Sequence, residues 1–261
     1  MINIGQHNFL KIARKTGRGT FLVAPGFGEL FLPKGQTPSH VEQGDKIEVF
    51  VYRNSDDEAV ATTKRPRVSV GEVACLEVVS SNSLGAFLDW GLPKDLFAPF
   101  GQQTKPMKVG ERHLVAVYLD NTGRIAASSK LNRFVKPETR GFKVGQKVKA
   151  LVGDQTDLGY KLIVNSKFWG VLHNSDIFQP VKYGQKVIAF IKTIRPDGKI
   201  DLTLQSPDSK SNNEPLETKI LNLLEENEGF YPVGDKTSPQ RIYKLFGVSK
   251  KVFKATIGKN L

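Results

Sequence analysis

Apolar and polar residues alternate in short runs along most of the chain. Positions 8–15 alternate loosely and 46–52 cleanly, and a period of two marks a strand with one buried face; 20–23, 29–32 and 59–62 are short apolar runs read as further strands. Turn residues separate the runs: Thr16-Gly17-Arg18-Gly19, Pro33, and Asn54-Ser55-Asp56-Asp57. The scheme returns at 147–152, 160–165, 170–173, 187–194 and 200–204. Beyond 206–215, a polar, proline-flanked stretch expected to be a flexible linker, the period changes to that of a helix. Ile220, Leu223 and Leu224 form a stripe on a helix starting near Leu216 and ending by Gly229. Ser238 is the expected cap of a second helix, with Pro239 in its first position, Ile242, Leu245 and Phe246 on its apolar face, and Gly247 as its stop. Ser249 caps a third, bearing Val252, Phe253, Thr256 and Ile257. Helix, glycine turn, helix is a helix-turn-helix arrangement. The β-hairpin that would complete a winged helix does not follow before Leu261, so the expectation is a winged-helix-like tail with its wing apparently absent.

The strand-rich part repeats. Ile4-Gly5-Gln6-His7, Val70-Gly71-Glu72-Val73 and Val144-Gly145-Gln146-Lys147 open three copies. Gln43-Gly44-Asp45-Lys46, Val109-Gly110-Glu111-Arg112 and Tyr183-Gly184-Gln185-Lys186 recur inside them at the same offsets, 66 residues from first to second copy (Gly5 to Gly71, Gly44 to Gly110) and 74 from second to third. Two markers holding the same offsets establish a triplicated module. Five strands per copy, glycine-rich turns and no long helix predict a mainly β protein. Three tandem five-stranded Greek-key barrels of the OB type are expected at 1–65, 66–132 and 142–205, with the helical tail at 212–261. Residues 133–141 read as a second linker.

Charge and cysteine usage narrow the class. The formal net charge is +12, and a protein this basic commonly has a polyanionic partner. The excess is uneven. Residues 142–205 carry ten basic and five acidic residues, 66–132 seven and six, 1–65 nine and seven, and 236–261 seven basic residues and no acid. The third barrel and the tail are expected to hold most of the electrostatic footprint. Cys75 is the single cysteine, which excludes an intrachain disulfide and fits a reducing compartment. It alternates with Val73 and Val79 and is read as a buried small hydrophobe. No signal segment and no run of 18 apolar residues occur, so a cytoplasmic protein without a membrane span is expected.

The markers resemble the S1 RNA-binding domain, whose pattern runs Val-Gly, Gly-x-Phe-Val, Gly-Leu-x-His, Val-Gly-x-x-Val and Asp-x-x-Gly-Arg-Ile-x-Leu-Ser. Three such modules followed by a winged-helix-like tail resemble the conserved virulence factor B family. The resemblance covers nearly the whole chain. It implies RNA binding linked to post-transcriptional regulation, with no enzymatic centre and no cofactor. It also implies a single-stranded RNA face of aromatic, His, Asp and basic residues. Carried over position by position, the central module keeps Phe87, Asp120 and Arg124, with Leu84 in the first aromatic slot and Ala98 in the histidine slot. The third keeps His173, has Lys199 where the arginine falls, Leu158 and Lys161 in the aromatic slots, and Arg195 in the Asp slot. The first keeps Phe21, and its closing segment Asp57-Glu58-Ala59-Val60 lacks the basic residue.

The residues support the same chemistry on their own account. A single strand exposes base faces and a charged backbone, so its binder needs flat side chains and cations. Phe21 and Phe87 are read either as core or as stacking contacts. Phe168 and Trp169 are adjacent on a strand and point opposite ways, so one of them is expected to face outward. His173 is either a structural histidine or a nucleic-acid contact. Lys250, Lys251 and Lys254 are either a solvated helix face or phosphate contacts. No phosphate-binding loop, dinucleotide fingerprint or nucleophile elbow occurs. His7, His40, His113 and His173 are dispersed over the modules, and Asp56-Asp57-Glu58 reads as a solvated hairpin turn rather than a metal site. Two alternatives stay open: a regulator whose helix-turn-helix reads duplex DNA, and an adaptor that docks on the ribosome or another protein. Against the first, only Asn260 offers a base-reading side chain late in the third helix.

Overall fold

The computed structural model describes residues 2–137, 141–177, 180–206 and 215–258. The expected linker at 206–215 and Asn260 lie almost wholly outside them. Strands come in three groups of five. The first is β1 (Gln6–Thr16), β2 (Gly19–Ala24), β3 (Gly28–Pro33), β4 (Lys46–Arg53) and β5 (Ala59–Thr62). The second is β6 (Val73–Asn82), β7 (Gly85–Asp89), β8 (Leu96–Pro99), β9 (Arg112–Leu119) and β10 (Ile125–Ser128). The third is β11 (Lys147–Thr156), β12 (Gly159–Val164), β13 (Phe168–His173), β14 (Lys186–Ile194) and β15 (Ile200–Thr203). The expected mainly β fold of three barrels and a helical tail is what the chain adopts.

Each barrel is wound on its long first strand. The first half of β1 pairs with β4 and the second half with β2, with a bulge between Ile12 and Arg14 where the strand changes partner. Bulges recur between Val78 and Ser80 in β6 and between Val152 and Gln155 in β11. A bulge bends and twists its strand, which lets five short strands wrap around one core. The bulge also overturns one expectation: Cys75 is buried, but Val79 sits in the bulge and is exposed. The third barrel closes through parallel pairing of β13 with β15. In the other two, the end strands (β3 and β5, β8 and β10) lie side by side without a shared ladder. Gly19, Gly85 and Gly159 occupy one repeated position where the second strand passes close under the third. A Cβ there would lie 2.3, 2.3 and 2.0 Å from the carbonyl oxygens of Leu32, Ala98 and Leu172, so no side chain fits.

The described chain forms two compact units, 1–135 and 136–261. In the first, barrels one and two share a core. Phe50 and Tyr52 project from the outer face of β4, while Val49 and Val51 fill barrel one. Both rings meet Trp90, from the loop after β7, edge to face at centroid distances of 5.8 and 6.4 Å. Trp90 is only 3% exposed, and its indole Nε1 donates to Lys94 O at 2.6 Å. Backbone bonds from Val70 N to Gly5 O and a Lys94 Nζ bond to Asn54 O complete the joint.

In the second unit, Lys136 forms a parallel bridge with Phe168, so the expected linker at 133–141 in part extends the barrel. The tail contains α1 (Leu216–Glu225), α2 (Pro239–Phe246) and α3 (Lys250–Ile257). Ser238 and Ser249 cap the last two as expected, accepting from Arg241 N and Val252 N, and Gly247 stops α2 with φ at 70°. Ile242, Phe246 and Phe253 form the tail's core, the two phenylalanines stacked at 5.2 Å. Among the described residues no helix is long and apolar enough to cross a membrane.

Candidate nucleic-acid interface

The second and third strands of barrels one and two carry a matched aromatic pair on their outer faces. Phe21 of β2 is the cross-strand partner of Phe31 of β3, and the rings lie 5.3 Å apart. Phe87 of β7 partners Phe97 of β8 in the same register, 5.1 Å apart. All four rings are at least partly open to solvent. The strand alternation that points Leu22, Leu30, Leu88 and Leu96 into the cores turns these phenylalanines outward. The Arg14 guanidinium stacks 3.7 Å from the Phe21 ring centroid and is paired with Glu29 at 2.9 Å. In OB folds this strand face is a ligand face for oligonucleotides.

Phe87, Asp120 and Arg124 come together, as the S1 resemblance implies, in a groove of about 450 Å³. Leu84, Phe97 and Lys94 share it, and the β4–β5 hairpin of barrel one walls one side with Arg53 and Asp57. Arg124 reaches across to Asp57 at 3.4 Å. Asp120 does different work. Its Oδ1 accepts from Thr122 N, Thr122 Oγ1 and Arg124 N at 2.7–3.0 Å. Desolvation pushes its pKa up, but those hydrogen bonds and the Arg124 charge outweigh it and hold the carboxyl below the usual aspartate value. Asn54 occupies the same turn position in barrel one, accepting from Asp56 N and Glu58 N. This slot therefore ties its own hairpin, and the Arg124 side chain is the basic member of the motif that faces the groove.

Barrel three departs from the aromatic pairing. Lys161 and Val171 occupy the register of the two rings. Lys161 Nζ lies 5.1 Å from the Trp169 ring centroid, a cation–π pair. Trp169 and Phe168 do point opposite ways, but both are half-buried. Phe168 packs toward the core and edge-on to Phe142 at 5.5 Å, so Trp169 is the outward member. His173 Nε2 donates to Asp201 Oδ1 at 2.9 Å, and Arg195 Nε donates to both oxygens of that carboxylate at 3.1 and 3.0 Å. Burial raises the Asp201 pKa, but hydrogen bonds from Arg195 and His173 more than offset it and leave the carboxyl depressed. Lys199 pairs with Asp197 at 2.7 Å. In the tail, Lys250 Nζ donates to Thr237 O at 2.8 Å and Lys254 pairs with Asp235 at 3.1 Å, while Lys251 is exposed.

Sequence reasoning missed Phe31, Phe97, Arg14 and Trp90. It also slipped by one residue at the histidine slot of the central barrel. Gly159 pairs with His173 as Gly85 pairs with Pro99, so Pro99, not the buried Ala98, is the counterpart. A signal for the second phenylalanine was present, since Phe31 and Phe97 are separated by the same 66 residues as Phe21 and Phe87. Among the described residues no three His, Cys, Asp or Glu side chains gather as metal ligands do.

The model of the S1 domain family matches residues 4–64, and that of the CvfB-like winged helix domain matches residues 218–260. The uncharacterized protein YitL of Bacillus subtilis is 27% identical over 97% of this chain and 87% of its own length. Conserved virulence factor B of Staphylococcus epidermidis is 24% identical over 98% of this chain and 89% of its own. A crystal structure of a multidomain protein with nucleic acid binding domains from Streptococcus pneumoniae is 24% identical, with 98% and 92% coverage and a TM-score of 0.45. S1 and winged-helix domains are nucleic-acid-binding architectures, and both are present here. With its first barrel matched as an S1 domain, two further barrels after it and a CvfB-like winged helix match at its end, the chain is similar over nearly its whole length to the conserved virulence factor B proteins.

Proposed function

We propose that this protein is a non-enzymatic, cytoplasmic binder of single-stranded RNA that acts in post-transcriptional regulation. The observation that carries the reading is the pair of outward phenylalanines repeated in register on barrels one and two, each with an arginine beside it. Such a platform suits unpaired bases, because stacking needs an exposed π-face and neighbouring cations take the flanking phosphates. A duplex hides those faces. The tail supports a duplex-reading role less well, since two of its three candidate lysines already hold the turn before α2.

The test is fluorescence anisotropy on the full chain with a labelled 15-nucleotide single-stranded RNA, the matching DNA strand and the duplex, across a salt series. Tight RNA binding that weakens with salt is expected. The Phe87→Ala/Phe97→Ala variant should lose roughly 5- to 150-fold, the equivalent of one stacked base. Preference for duplex would instead favour the tail. No binding at low salt would leave the adaptor role.

A further inference from the structure

We propose a second single-stranded RNA contact on barrel one, centred on Phe9 and flanked by Lys11 and Lys46. It rests on the reading of the protein as an RNA binder but uses residues that neither the S1 pattern nor the phenylalanine pairs include. Phe9 stands on the outer face of β1, paired in register with Glu48, and is 71% exposed. An exposed strand phenylalanine gains little from folding, since most of its surface stays in water. Beside it a concavity of about 430 Å³ is lined by His7, Phe9, Lys11, Val23, Pro25 and Lys46, among others. That volume lies within the range of small-ligand sites.

The charges around it identify the occupant. Lys11 and Lys46 are direct cross-strand partners, and like charges in that position repel one another. Glu48, the acid nearest in register, is already shared by Arg65 at 3.0 Å and His7 at 3.9 Å. An exposed ring beside two juxtaposed cations is the combination that takes an unpaired base with its neighbouring phosphates. A neutral apolar partner would leave the lysine pair unrelieved, so the complementarity favours a polyanion. The repeat provides an internal control. At the offsets of the module, Phe9 corresponds to the buried Cys75 and to Lys149, and Lys11 to Glu77 and the buried Leu151. The Phe–Lys–Lys cluster is therefore a property of barrel one, not of the barrel fold. Val23, 43% exposed and on the same strand as Phe21, joins this patch to the Phe21–Phe31 pair, so one strand of RNA could run from one to the other.

The experiment uses full-length protein and the same labelled 15-nucleotide RNA. Phe9→Leu keeps an apolar side chain without a π-face and should weaken binding roughly 5- to 150-fold, whereas Phe9→Tyr should stay within about twofold of wild type. Lys11→Gln/Lys46→Gln should lower the slope of log affinity against log salt by about 1.4, the release from two phosphates. Ultraviolet cross-linking should place RNA on the peptide containing Phe9. Binding, salt slope and cross-links unchanged in these variants, while Phe87→Ala/Phe97→Ala still weakens binding, would overturn this site and spare the RNA reading. Wild-type protein that binds no RNA would overturn both.

Discussion

Trp90→Ala tests whether the groove depends on the shared core of barrels one and two. The indole is 3% exposed, meets Phe50 and Tyr52 edge to face, and donates its N–H to Lys94 O. Truncating a buried tryptophan costs about 3–5 kcal/mol in transfer and cavity terms. Two aromatic contacts contribute about 0.5–1.5 kcal/mol each within that loss, and the freed Lys94 carbonyl adds an unmet acceptor of about 1–3 kcal/mol unless water reaches it. The expected total is at the upper end of the first range, about 4–5 kcal/mol. Far-ultraviolet circular dichroism during urea titration should show the transition of unit 1–135 moving to markedly lower urea, while that of the second unit stays in place. Because the β4–β5 hairpin walls the groove beside Phe87 and Phe97 only while the barrels stay joined, RNA affinity should fall with it. Trp90→Phe should recover most of the stability. A loss under about 1 kcal/mol for Trp90→Ala would refute the idea of a common core.

Three further outcomes follow from single contacts. Asp57→Asn removes the partner of Arg124 in an exposed ion pair; stability should change by less than about 1 kcal/mol, while RNA affinity rises a few-fold (~2–5) as the guanidinium is freed, and an unchanged affinity would mean Arg124 does not contact RNA. For Asp201, whose pKa is depressed in the fold, the carboxylate's stabilisation is present above the unfolded value of about 3.9 and is lost as pH falls through the folded value. Asp201→Asn should therefore destabilise the second unit by about 1–3 kcal/mol at pH 7, with the gap to wild type closing as urea melts are taken from pH 6 to pH 3; a gap independent of pH would contradict the assignment. Ser238→Ala deletes the cap that accepts from Arg241 N and should cost about 0.5–2 kcal/mol, visible as faster hydrogen exchange in α2 with the barrels unaffected.

The barrels were legible because their turns are glycines at fixed offsets, and the tail because Ser238, Gly247 and Ser249 punctuate a helical period. What escaped was whatever depends on which strand lies next to which. Phe31 and Phe97 look like core residues along the chain, and only the register that sets them beside Phe21 and Phe87 makes a platform. Val79 kept its place in the alternation but not in space, since a bulge resets the face of every residue after it. Asp120 matched its motif, yet the turn it closes takes up its hydrogen-bonding capacity. Trp90 gave no sign of its role, because its partners Phe50 and Tyr52 belong to a different repeat.

The joint between the first two barrels also matters while the protein is being made. Barrel one emerges with Phe50 and Tyr52 on its outer face, and the residue that covers them has yet to be synthesised. At ~5–20 residues per second, the stretch from Tyr52 to Trp90 takes roughly 2–8 s to add. During that interval the nascent chain presents an aromatic patch that chaperones can recognise and that another ribosome's product can stick to. Silent codon changes that slow translation between Tyr52 and Trp90 would lengthen this window without altering a single contact of the finished protein.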